Sequence, residues 1–327
     1  MNLDPELVER FRADLAPLWP FVGDGPQKLG IALSGGGDSL ALLLLANAAL
    51  PGRVEAATVD HQLRPESAGE AAGAAGFCAD LGVPHRILRV EVGEGNVQDR
   101  AREARYDALG EWCEERDLEG LATAHQMEDQ AETFLMRLNR GSGLSGLSSI
   151  RALRSVPNAP VRLVRPLLGW RRAELAELVR SVGWEPVADP SNENTDFDRV
   201  RMRRHLAGCD WLDMAAIGRS AAYLAEANDT LEWVIGREYA ERVTKDGTEA
   251  VYRALESGVG GTIVKGGVIR AIFRLFGVSV DQRVGAALVE NLTSGLKTNV
   301  AGIQTDVRDV GGERLWVFRR ENPRRTG

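Results

Sequence analysis

Residues Ile31 to Ser39 read IALSGGGDS and lead into a second apolar run, Leu40 to Leu50. A strand that feeds a glycine turn and then a helix start is an anion site, because backbone N–H groups and the helix dipole face the ligand. Glycine also lets the main chain come close to phosphate and take positive φ. Gly35, Gly36 and Gly37, with hydroxyls from Ser34 and Ser39, are therefore expected to cradle phosphate. Two common phosphate loops do not fit. A Walker loop ends in Gly-Lys-Ser/Thr, and this chain has no Gly-Lys pair before Ser or Thr. A dinucleotide loop needs GxGxxG after a strand, whereas GSGLSG (141–146) follows a helical pattern. Asp38 stands where a lysine would be.

The surrounding pattern says how this loop is carried. Leu7, Phe11, Leu15 and Leu18 have helical spacing. Strands are expected at 28–34, 53–61, 85–92 and 120–125. Helices are expected from Ser39, over 66–81 with Gly82 as C-cap, over 96–116 and over 129–139. This alternation predicts an α/β fold, a parallel sheet with helices on both faces. Ligands then bind beyond the carboxyl ends of the strands. SGGGDS, VDH (59–61) and TAHQMEDQ (123–130) all fall at such ends. After Gly141 come a glycine-serine loop (140–150), a turn and helix (165–183) and a long loop rich in Pro, Asn, Asp and Ser (185–199). From about 206 the pattern becomes that of a smaller α+β domain, with helices through the 220s and 230s and at 268–277. Strands follow in GIQTDVRDV and RLWVFRR, split by Gly311-Gly312. The expected domains are 1–205, catalytic, and 206–327.

SGGGDS resembles the SGGxDS loop of the ATP pyrophosphatase (PP-loop) superfamily. Five further stretches choose among its members. VDHQLRPES (59–67), the Ala101-Arg102 and Arg105-Tyr106 helix, and TAHQMEDQAETFLMRLNRGSGLSGL (123–147) resemble segments of the tRNA(Ile)-lysidine synthetases, in the same order. So do RPLL (165–168) and ADPSNENTDFDRVRMR (188–203). The chain departs from that pattern at Gln62, Glu128 and Val200.

The resemblance implies a reaction. ATP adenylates the C2 oxygen of the wobble cytidine of a tRNA(Ile) with a CAU anticodon. The ε-amine of free L-lysine then attacks C2 and expels AMP. It implies ATP and Mg2+, with Ser34, Gly35, Gly36, Gly37, Asp38, Ser39, His61 and His125 at the nucleotide. Asp38 and Asp129 would work on lysine and magnesium; both also suit helix N-caps. Arg102 and Arg105, three apart on one helix, would meet the developing phosphate charge or simply pair with Glu103 and Asp107. Arg140, Arg165, Arg199, Arg201 and Arg203 would meet tRNA phosphates. Asp60 is a weaker candidate for the ribose, and Trp170 suits the core better than a base stack.

Composition sets the bounds. The net charge is −7 over 327 residues, which argues against non-specific nucleic-acid binding but leaves local basic stretches at 199–205 and 318–325. Cys78, Cys113 and Cys209 form no CxxC pair, which weighs against the main rival, a PP-loop tRNA thiolase, and suits a reducing compartment. An adenylate-binding module without catalysis would not need both Asp38 and Asp129, and no glutaminase nucleophile is visible for an amidating synthetase. The acidic start lacks a signal-peptide n-region, so a cytoplasmic protein away from membranes is expected, with a homodimer allowed.

Overall fold

An apolar strand that enters a glycine turn and leaves as an all-round apolar helix is accommodated only inside a sheet covered on both faces. The computed structural model places it there. It describes residues 3–23, 25–62, 66–91, 93, 97–186, 198–254 and 261–321, with backbone alone at 97, 98 and 207. The chain divides into two compact units, Met1–Ala225 and Glu226–Gly327.

In the first unit, strand β1 (Lys28–Ala32) is flanked in parallel by β2 (Val54–Asp60) and β4 (Leu118–Ala122). β3 (His85–Arg89) extends the sheet beyond β2, and β6 (Arg162–Val164) beyond β4. β5 (Leu153–Ser155) closes that edge antiparallel, giving the order β3-β2-β1-β4-β6-β5. The last two strands were not expected from sequence; at three residues each they are too short to show alternation.

Neighbouring residues of one strand go to opposite cores, as the pleat requires. Ala56, Ala122 and Val164 join a cluster with Phe11, Trp19, Leu40 to Ala46, Trp170 and Leu175. Ala57, Leu121 and Leu163 join one with Tyr106, Leu109, Trp112 and Cys113. The first cluster takes helices α1 (Pro5–Leu15), α2 (Gly37–Ala49) and α7 (Arg172–Ser181); the second takes α4 (Val97–Glu115). Helix α3 (Ser67–Leu81) ends at Gly82, left-handed at φ 66°, the expected C-cap. Trp170 is core, its indole N–H donating to Asp14 at 2.8 Å.

The second unit begins inside the long helix α9 (Met214–Arg242). An antiparallel sheet of order β7-β8-β11-β10-β9 (Val243–Asp246, Glu249–Tyr252, Glu313–Arg320, Ile303–Val310, Thr298–Val300) packs on α10 (Gly261–Leu275) and α11 (Gln282–Thr293). Gly266 and Gly285 let α10 and α11 approach: a Cβ on Gly285 would lie 3.0 Å from the Gly266 carbonyl oxygen. The compact units divide at 225/226, not at the expected 205/206. Helix α8 (Asp198–Ala207) and the first turns of α9 are tied to the sheet unit: Arg203 binds Glu132, and the Ser148 hydroxyl and Arg151 donate to the carbonyls of Leu224 and Ala225.

Candidate active site

β1 ends at Ala32 and α2 starts at Gly37, with Gly35 between them at φ 82°. The Ser39 hydroxyl accepts from the Ser34 N–H and O–H at 3.2 and 3.1 Å and donates to the Gly36 carbonyl at 2.8 Å. Ser39 thus braces the loop from inside, its hydrogen already used, while Ser34 faces the cleft. No side chain caps α2, so its first N–H groups stay available to an anion.

The loop forms one wall of a cleft of about 740 Å³ at the carboxyl ends of β1, β2 and β4. That is a size typical of small-molecule sites. Asp38, His61, Arg105, His125 and Asp129 line it, as do Arg172, Arg199 and Arg203. Among the described residues, His61 Nδ1 and Arg105 Nε are buried there without a partner, and buried polar atoms of this kind call for a ligand or water. Burial, then the Arg105 charge, holds His61 below its ordinary pKa. Burial, then Arg165 and Arg105, holds His125 well below. Both rings are therefore neutral near pH 7 and suited to hydrogen-bonding a base rather than pairing with phosphate. Uncapped amides, neutral imidazoles and an unpartnered guanidinium nitrogen together fit a nucleotide polyphosphate.

The carboxylates come from two helix starts. Asp38 lies in the first turn of α2 and Asp129 in the first turn of α5 (Met127–Asn139). Asp129 is indeed part of a cap: the Gln126 N–H donates to its Oδ2 at 3.3 Å, and the Gln126 side chain accepts from the N–H groups of Glu128 and Asp129. Its other oxygen faces Arg172 at 3.5 Å. Arg172 also stands 3.7 Å from Asp38 and 3.8 Å from Glu132. Burial, opposed by Arg172 and aided by the Asp129 charge, pushes Asp38 up to about 6. Asp129 is raised as well, again by burial against the pull of Arg199.

Two of these groups were not singled out from sequence. Glu132 is only 1 % exposed and accepts from Arg203 at 2.9 Å and Arg199 at 3.2 Å. It lies in the quoted AET stretch, and a glutamate one turn from Asp129 on an otherwise inward face was the available signal. Arg172 follows RPLLGWR; its backbone N–H donates to Glu128 at 2.9 Å, which fixes the start of α7 against α5. Nothing in its spacing pointed to the cleft.

The arginines expected at tRNA separate into three groups. Arg199 and Arg203 line the cleft and hold Glu132. Arg140 and Arg201 both pair with Asp198 at the exposed surface. Arg165 is 6 % exposed and donates to the Arg151 carbonyl; a buried guanidinium with that bond is not a surface phosphate contact. Of the α4 pair, Arg105 lines the cleft, whereas Arg102 is exposed over the Tyr106 ring at 5.0 Å. Asp60 is spent on the Gln62 N–H and the Ser67 hydroxyl at 2.9 and 2.7 Å. Residues 63–65 of VDHQLRPES, 187–197 of the long loop and 322–325 of the basic tail lie outside the described residues.

A family model described as a PP-loop domain matches residues 6–208. A tRNA(Ile)-lysidine synthase of Zymomonas mobilis is 41% identical over 306 residues, covering 91% of this chain and 90% of that protein. Another, of Novosphingobium aromaticivorans, is 44% identical over 304 residues, covering 85% and 92%. This chain belongs to the tRNA(Ile)-lysidine synthase family. It is thus a PP-loop ATP-binding enzyme of a carbon–nitrogen ligase family, as the sequence stretches implied. Among solved structures, the U34-tRNA thiolase NcsA of Methanococcus maripaludis aligns with a TM-score of 0.55 at 19% identity, covering 67% of this chain and 79% of that one. This shows a shared fold. Two of the three cysteines of this lysidine synthase family member differ in character from reactive thiols: Cys78 and Cys113 are fully buried, and burial pushes both up to about 12.

Proposed function

We propose that this chain converts the wobble cytidine of a tRNA(Ile) to lysidine in two steps within the cleft. In the first, the cytidine C2 oxygen attacks the α-phosphorus of ATP, and pyrophosphate leaves. In the second, the ε-amine of lysine attacks C2, and AMP leaves with the oxygen. The division is chemically necessary, because the cytosine oxygen is a poor leaving group until it is adenylated.

The chain's residues divide this work. The uncapped start of α2 and Gly35 to Gly37 hold the phosphates. Neutral His61 and His125 receive the base of ATP. Arg105 stabilises the charge on the phosphate as pyrophosphate departs. Lysine arrives as an ammonium with pKa about 10.4 and must lose a proton before it attacks. Asp38, at about 6, is ionised at pH 7 yet basic enough to take that proton, the poise expected of a general base. Asp129 supplies negative charge to hold the amine, while Glu132, buried behind it, holds Arg199 and Arg203. Magnesium, when bound, would neutralise phosphate charge from the side of Asp38. The second unit grips the body of the tRNA, and the enzyme works in the cytoplasm.

What carries this reading is the meeting of Asp38 and Asp129 beside an uncapped PP-loop, in a chain so similar over most of its length to lysidine synthases. The test supplies ATP, labelled lysine and a CAU-anticodon tRNA(Ile), measures pyrophosphate and analyses the nucleosides. Lysine label at the wobble position, lost in Asp38→Ala, is the expected result. Pyrophosphate release with no lysine in the RNA would overturn it.

A further inference from the structure

The arginines in the cleft and those beside it differ in charge balance. On one side Asp38, Asp129 and Glu132 face Arg172, Arg199 and Arg203 at 2.9 to 3.9 Å. Three acids against three arginines leave little net charge. Beside the cleft, and not among its lining, a second group of arginines spends its hydrogen bonds on neutral carbonyls. Arg137, near the end of α5, donates to the Gly146 and Ser149 carbonyls at 2.8 and 3.2 Å. Arg165 donates to the Arg151 carbonyl at 2.6 Å. Arg102 lies over the Tyr106 ring. Arg154 is exposed on β5, opposite Leu163.

A carbonyl oxygen satisfies an N–H but does not cancel a unit charge. Among the described residues, no carboxylate pairs with Arg102, Arg137, Arg154 or Arg165. The segments that carry three of them adjoin, since Arg137 bonds the Ser149 carbonyl, Arg165 bonds the Arg151 carbonyl and Arg154 pairs with Leu163; Arg154 and Arg102 accordingly help burial hold Arg137 below its ordinary value. They also border the cleft: Arg102 lies one turn before Arg105, which lines it, and Leu153, next to Arg154, pairs with Val164 at the carboxyl end of β6. In a chain of net charge −7, an uncompensated cluster at the edge of a nucleotide cleft is a local attractor for a polyanion.

We infer that the RNA strand enters the cleft across this arginine side, over α4, the end of α5 and β5, with Arg154 on a backbone phosphate flanking the modified cytidine. The inference rests on the lysidine reading, because only a polynucleotide substrate must keep its backbone on the rim while one base is inside. It also gives the strand a direction of approach. The balanced carboxylate side is left to the small cationic substrate, and the phosphates avoid Asp38 and Asp129.

The experiment uses the full chain and a transcribed CAU-anticodon tRNA(Ile), and compares wild type with Arg154→Glu and Arg154→Lys. The Arg154 side chain makes no hydrogen bond or ion pair among the described residues, so the fold tolerates its replacement; unchanged binding of a fluorescent ATP analogue verifies this. Arg154→Glu should raise the KM for tRNA roughly tenfold at low salt and flatten the dependence of log affinity on log salt by about one. Arg154→Lys should stay near wild type. If wild type makes lysidine and Arg154→Glu matches it in tRNA KM and salt slope, the entry side is wrong. If wild type makes no lysidine on any CAU tRNA, the underlying reading is what fails.

Discussion

Helices α2 and α5 start in the same way, each just after the carboxyl end of a central strand and each with an aspartate in its first turn. They differ at the cap. Gly36 gives α2 no side chain, so its N–H groups remain for a ligand. Gln126 gives α5 an acceptor that takes two of its N–H groups, and Asp129 answers from the third position. One residue therefore separates an open helix start, which we propose holds phosphate, from a rigid carboxylate platform on equivalent scaffolds. The dipole of α5 is used to hold its own acids in place, that of α2 to receive someone else's.

The comparison can be broken most severely by giving α2 a cap. At Gly36 the backbone is extended, with φ −74°, and a Cβ would have its nearest contact 3.5 Å away. Gly36→Asp should keep or slightly raise thermal stability. It should also weaken ATP binding by about a hundredfold or more, since like charges 4 Å apart cost about 4 kcal/mol at an effective dielectric of 20. Calorimetric titration with ATP decides it, and normal affinity would mean that the phosphates lie elsewhere.

On the other helix, Glu132→Gln leaves Arg199 and Arg203 without their buried acid. Loss of about 3 kcal/mol is expected, the lower end for breaking a buried pair because both arginines are partly hydrated. The melting temperature should fall on the order of 10 °C. Gln126→Ala removes the cap and should cost about 1 kcal/mol, or roughly 2–4 °C, with ATP affinity retained.

A separate effect is on pH dependence, measured without nucleotide or magnesium. Asp38 binds its proton more tightly in the folded chain, at about 6, than unfolded, at about 3.9. Wild type should therefore lose stability as pH rises from 4 to 6, with the loss complete above 6. Asp38→Asn should lack this decline, so the difference in melting temperature between the two grows over that window and then levels. A constant difference from pH 4 to 7 would show that burial does not penalise the charge.

Much of α2 was legible because every factor agreed: an apolar strand, a glycine turn and an apolar run without charges. Asp129 was legible for a similar reason, sitting just past a strand end. Arg172 was not, because what brings it to Asp38 is the packing of α7 on α2, a contact between segments 134 positions apart that no local period encodes. The placement of Arg165 failed for the converse reason. An arginine in a loop after a strand is ordinarily solvated, and only the antiparallel return of β5 covers it. In the second unit, the β7–β8 hairpin carried a readable signal in Asp246-Gly247, with Gly247 at φ 55°, and α11 another in its Asp281 cap.

The three-residue strand β5 has one more consequence. A parallel sheet that stopped at β6 would offer its bare edge as a template for any extended chain, including a half-folded copy of itself. β5 occupies that edge, exposes all three of its residues and carries Arg154 outward; Arg86 and Arg89 lie on β3 at the far edge. Short, charged borders of this kind discourage strand-to-strand aggregation while the chain folds, so the same arginine strand that meets RNA also keeps the protein dispersed.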